Sequence, residues 1–192
     1  MTGFNREQGF GFIDLMDIPP GDYSSGKLAY DNIDWAVTKD YIDKAKNHCG
    51  AVLVTNLALY FSAKGYNNLL VNNSKDDTFV AVHRIVGNGP IISLTKKARE
   101  FFNERAYALE YEGVKSYKDM KDAIDKGQPL GLLLSSGIFN WHWIMVVGWK
   151  EDTSQRSYLR IVDSWNRTDE RFYKVDSGSR LWLARKYWIE PL

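Results

Sequence analysis

The sequence has a single cysteine, Cys49, so no disulfide can form within the chain and the fold must stand without covalent staples. It has no apolar run near the ~18 residues of a membrane span. Its formal net charge is only +1, with acids and bases interleaved, and no basic block marks a nucleic-acid surface. There is no internal repeat and no low-complexity linker. One cysteine and three histidines, none at ligand spacing, give no metal site and imply no cofactor. The start, "MTGFNREQGFGF", lacks the basic and apolar regions of a signal peptide. The compartment stays open: secreted or cell-surface if a leader has been removed, otherwise cytoplasmic.

What is present is apolar and aromatic material. Hydrophobic residues make up 44% of the 192 positions and aromatics 14%, enough for one domain with a sizeable core. Residues 1–36 read as an irregular extension, with a turn-rich "DIPPGDYSSGK" packed over the surface of a domain spanning 37–192. Helices are predicted next. Cys49 to Lys64 is apolar nearly all round, as a buried helix should be, and Gly65 fits its end. "SKDDTFVAVHRIVG" and "SLTKKAREFFNER" follow. "YALEYEGV" reads as a strand, and "SYKDMKDAIDKG" as a short helix with Ser116 and Asp119 as a capping box. Then come "PLGLLLSS", "WHWIMVVGW", "SYLRIVDSW", "RFYKV" and "LWLARKYWIE", rich in branched and aromatic residues and spaced for an antiparallel sheet. Helices first and strands later predict an α+β fold.

Cys49 opens its helix. Unpaired backbone N–H groups there carry roughly half a positive charge, which stabilises a thiolate. Gly50 removes a side chain beside the sulfur and is expected to let a substrate backbone approach. The competing reading is an inert, buried thiol. A nucleophile needs a base. His48 adjoins Cys49 and is expected to shape the turn, and His83 sits inside a helix pattern. His142 enters the strand "WHWIMVVGW" after a Gly/Ser-containing loop, flanked by two tryptophans. Asp163, at the end of the next strand, could accept the imidazole N–H and fix its tautomer. Asn166 is a second candidate for that role, and "DSWN" also reads as a plain turn.

Three stretches together resemble the papain-like cysteine peptidases, and most closely their bacterial C39-like branch. "NHCGAVLVTNLALYF" is similar to the branch's nucleophile helix. "YKDMKDAIDKGQPLGLLLSS" is similar to the helix and strand before the family histidine. "WHWIMVVGW" with "YLRIVDSWN" is similar to the histidine strand and the Asn/Asp strand after it. The resemblance covers about residues 38–166. It implies a helical half with a buried nucleophile helix packed on an antiparallel sheet. It also implies Cys49 as nucleophile, His142 as general base and acid, Asp163 as orienter, and Trp165 as a cover over the His142–Asp163 bond. The expected activity is a peptidase or amidase acting through an acyl-enzyme on a peptide or other amide. An acyltransferase and a catalytically weak binding module are the alternatives on the same fold.

One departure stands out. The family places a glutamine shortly before the cysteine as an oxyanion donor, and "TKDYIDKAKNHC" has none. Asn47, Asp43 and Asp40 are the nearby polar candidates. An ionised aspartate cannot donate a hydrogen bond, whereas Asn47 can.

Overall fold

A computed structural model describes residues 9–89, 92–138, 140–154, 156–175 and 179–192. Two short strands come first, β1 (Phe12–Asp14) and β2 (Tyr23–Lys27). Helices α1 (Cys49–Ala63), α2 (Lys75–Val86) and α3 (Leu94–Asn103) follow. Then come β3 (Tyr107–Gly113), α4 (Tyr117–Asp125), β4 (Leu130–Ser135), β5 (Trp141–Asp152), β6 (Ser157–Val162), β7 (Arg171–Lys174) and β8 (Arg180–Pro191). The chain is thus α+β, with four α-helices and an eight-stranded antiparallel sheet among the described residues.

Local chemistry sets the helix ends. Ser74 caps α2 by accepting from the Asp77 amide, and Asp76 and Asp77 place acid in its first turn. Ser116 and Asp119 form the capping box of α4. Twelve of the fifteen residues of α1 are buried, so it is the central helix of the core. The polar groups it carries inward are satisfied. Thr55 Oγ1 donates to the Ala51 carbonyl at 2.9 Å, and the Asn56 amide bonds both the N–H and the carbonyl of Ala36. That last pair ties the chain before α1 to the middle of the helix.

The sheet runs β1-β7-β6-β5-β4-β8-β3, and β2 pairs with the far half of β5. Every residue of β4 is buried, which explains its unbroken apolar run. From residue 9 on, the N-terminal segment differs from the irregular wrap that its sequence suggests; residues 1–8 of that expected extension lie outside the described residues. β1 continues the sheet beside β7, and Phe10, Leu28 and Trp35 are buried in the main core. The strand signal is weak there because β1 has three residues and β2 is "YSSGK". No helix among the described residues is long and apolar enough to cross a membrane.

Candidate active site

Cys49 is the first residue of α1 and is 8% exposed. The approach to it is held tightly. Asn47 takes a left-handed conformation (φ 50°), which asparagine tolerates better than most residues, and its carbonyl accepts from the Gly89 amide at 2.7 Å. His48 points inward. Its Nε2 lies 2.9 Å from the Thr38 carbonyl, an acceptor only, so Nε2 carries the proton. The ring meets Tyr41 and Phe79, themselves stacked at 3.6 Å. Desolvation by this packing lowers the His48 pKa from its ordinary 6.5. His48 is therefore a neutral clamp between Thr38 and the start of α1, in keeping with the turn-shaping role expected of it. His83 bonds the Asn88 side chain and stands outside the site.

Gly50 does something other than admit substrate. It is buried, and a Cβ built on it would lie 3.2 Å from a Leu94 methyl and 3.6 Å from the Trp143 ring. The absent side chain lets the first turn of α1 pack against α3 and the sheet. Glycine here serves close packing, not access.

His142 stands on β5 opposite Leu134 and is 3% exposed. Its Nε2 is 2.6 Å from the main-chain oxygen of Asp163. A carbonyl only accepts, so Nε2 carries the proton and the lone pair of the neutral ring lies on Nδ1. Trp165 lies face to face on the imidazole, with centroids 3.7 Å apart and planes 7° apart. Phe10 and Phe12 close the other sides of this pair, at 5.7 and 5.8 Å from the Trp165 ring and 5.8 and 6.4 Å from His142.

The Asp163 carboxylate is employed elsewhere. It is fully buried and accepts from the amides of Trp165 (2.9 Å) and Asn166 (2.7 Å) and from Asn166 Nδ2 (2.9 Å), with the Arg171 guanidinium 3.3 Å away. The side chain thus builds the turn 163–166, and the main chain of that turn holds His142. The side chain follows the turn reading of "DSWN", and the atom at His142 Nε2 is the Asp163 backbone oxygen where its carboxylate was expected. Asn166, the other candidate orienter, braces the carboxylate and is not the group on the His142 Nε2.

The two halves come together in a cavity of about 530 Å³. Thr38, Asn47 and Cys49 line it from the helical side, and Asn140, His142 and Trp165 from the sheet side. Of the three oxyanion candidates only Asn47 lines this cavity. Asp43 is exposed outside it. Asp40 accepts from the Val37 amide and pairs with Arg167, 2.5 Å away, which also reaches Asp34. Its carboxylate is committed to that surface network. No group of three or more His, Cys, Asp or Glu side chains suited to a metal ion occurs among the described residues. Four contributors went unread in the sequence: Phe10, Phe12, Thr38 and Asn140. Only the Phe-x-Phe alternation of "GFGF" carries a signal, that of a short half-buried strand.

No family model matches the sequence, and no curated protein matches it. Among solved structures, the fold is similar to that of a proposed C39-like peptidase from Bacillus anthracis. The TM-score is 0.54 at 13% sequence identity, over 86% of this chain and 99% of that one. At that identity the likeness is one of fold alone; in this chain Cys49 and His142 line a single cavity.

Proposed function

We propose that the chain is a thiol hydrolase that cleaves a peptide or another amide through Cys49 and His142. The observation that carries this reading is the shared cavity: the thiol at a helix start and the imidazole at a strand start line the same space. The fold likeness supports it.

In this mechanism His142 Nδ1 takes the Cys49 proton. The helix N-terminus stabilises the resulting thiolate. The sulfur attacks the substrate carbonyl carbon and a tetrahedral oxyanion forms. The imidazolium returns its proton to the leaving nitrogen as the C–N bond breaks, which leaves a thioester on Cys49. His142 then deprotonates a water that hydrolyses the thioester. Throughout, Nε2–H stays on the Asp163 carbonyl, and Trp165 with Phe10 and Phe12 keeps water from that bond. Main-chain N–H groups of the first helical turn and the Asn47 side chain are the oxyanion donors of this scheme.

One observation favours the second reading, a binding module that keeps the thiol without turnover. Asp40 is tied to Arg167 and Asp43 stands outside the cavity, so Asn47 is the one side-chain donor among the three candidates. An activated acyl substrate separates the two readings. The hydrolase forms an acyl adduct on Cys49, seen as a mass increase that decays with product release, and Cys49→Ser and His142→Ala abolish it. Wild-type protein that takes an alkylating reagent at Cys49 but forms no acyl adduct is a binding module.

A further inference from the structure

A second cavity, of about 640 Å³, adjoins the first, and Trp141 lines both. It lies where the turn after β4 meets the start of β8. One side of it is an aromatic pair, Trp141 and Trp182, with ring centroids 4.5 Å apart. Trp182 is 47% exposed yet fixed, because its Nε1 donates to Ser135 Oγ at 2.8 Å. Ile138, beside it, is 81% exposed. The Arg180 guanidinium lies 4.5 Å over the Trp182 ring, and among the described residues it pairs with no carboxylate.

Each feature is common on protein surfaces, but the combination selects a ligand. A tryptophan held by its own hydrogen bond beside an exposed isoleucine is apolar surface kept open for an apolar group. A guanidinium stacked on an indole keeps its in-plane donors for a planar two-oxygen acceptor. Trp141, which lines both, places this trough beside the space that Cys49 and His142 line.

We infer that the trough is a specificity site that binds a bulky apolar residue next to a carboxylate, so that the substrate class is an apolar–acidic peptide. Its link to Cys49 rests on the proposed hydrolase reading; its ligand chemistry does not. The carboxylate can be an Asp or Glu side chain or the C-terminus of a short peptide, since both offer the same pair of oxygens to Arg180.

The test is a titration of the ¹⁵N-labelled full chain followed at the indole resonances, with the Trp182 signal assigned by Trp182→Phe. Three probes are used: N-acetyl-Phe-Glu amide, N-acetyl-Phe-Gly with a free carboxylate, and neutral N-acetyl-Phe-Gln amide. The expected result is that at least one acidic peptide shifts the Trp182 resonance at about three- to fivefold lower concentration than the neutral one, as an exposed ion pair allows. Which acid binds better names the source of the carboxylate. Arg180→Gln should erase the preference, and Trp182→Ala should weaken all three peptides. Equal affinities, a preference that survives Arg180→Gln, or no shift at Trp182 would overturn the inference. The Trp182→Ala titration is read at the Trp141 indole, which lines the same trough. Repeating the titration on Cys49→Ala reads the trough without thiol chemistry, and alkylating Cys49 in the wild type reads the thiol without the trough, so failure of one reading is told from failure of the other.

Discussion

Replacing Asp163 by asparagine separates the two jobs that this residue holds. Its carboxylate accepts three hydrogen bonds inside the turn 163–166 and faces Arg171, while its carbonyl holds His142. Asparagine keeps an acceptor for the Trp165 and Asn166 amides. Its new N–H₂ faces the Asn166 side-chain Nδ2 and the Arg171 guanidinium, which are both donors. One hydrogen bond to a charged group is lost and a buried donor is left opposed, at a cost of about 1–3 kcal/mol. For a chain of this size each kcal/mol lowers Tm by about 2–4 °C. Asp163→Ala leaves three donors of the turn without their acceptor and takes one of two carboxylates from Arg171, which keeps Asp14 at 3.3 Å, at about 3–5 kcal/mol. Because the group on His142 is a main-chain oxygen, the tautomer survives in Asp163→Asn, and the alkylation rate of Cys49 in folded protein should fall by less than about tenfold. If the carboxylate itself oriented the ring, the amide could stabilise the wrong tautomer, and the alkylation rate would fall by much more than about tenfold. Urea denaturation followed by circular dichroism, beside iodoacetamide labelling, reads both quantities on one sample. Unchanged stability with collapsed reactivity would mean that the carboxylate, and not the carbonyl, orients the ring.

Three further outcomes follow from the geometry. His48 has its pKa lowered in the fold, so as pH falls through about 6.5 the unfolded chain takes up a proton that the native state resists. Stability should therefore drop on acidification with a slope of up to about 1.4 kcal/mol per pH unit, and His48→Gln should flatten urea midpoints measured between pH 7.5 and 5.5. Phe10→Ala should cost about 3–5 kcal/mol as a core truncation, whereas Phe10→Leu should cost under about 1.5 kcal/mol yet slow Cys49 labelling by loosening the His142–Trp165 stack; equal labelling rates in Phe10→Leu and wild type would remove Phe10 from the site. Asn47→Ala should lower turnover of an acyl substrate by about 10²-fold while leaving alkylation intact, since an oxyanion donor acts on the tetrahedral intermediate and not on the thiolate; parallel loss of both would mark Asn47 as a scaffold residue.

The sequence makes the large elements legible because their signals are local. An all-apolar α1, Ser116 three residues before Asp119, and the branched runs of β4 and β5 each state their structure within one window. The roles of Cys49 and His142 can be read as candidates because a helix start and a strand start are local as well. What is hidden is long-range or a matter of which atom acts. "DSWN" cannot say whether Asp163 meets His142 through its side chain or its main chain. Asp40 looks available until Arg167 is brought to it from the far end of the chain. Gly50 reads as access and proves to be packing, because Leu94 and Trp143 arrive from α3 and β5. Phe10 and Trp182 carry no signal by themselves; each gains meaning from a partner, Trp165 and Trp141, that only the fold supplies.

The pH profile of Cys49 alkylation by iodoacetamide, followed by mass spectrometry in wild type and in His142→Ala, reports whether Cys49 and His142 act as a pair. A thiol paired with His142 at a helix start should react as a thiolate well below the ordinary ~8.5, giving a shoulder below neutrality that His142→Ala erases. A single titration at or above ~8.5 in both proteins would mark Cys49 as an ordinary buried thiol with no base beside it.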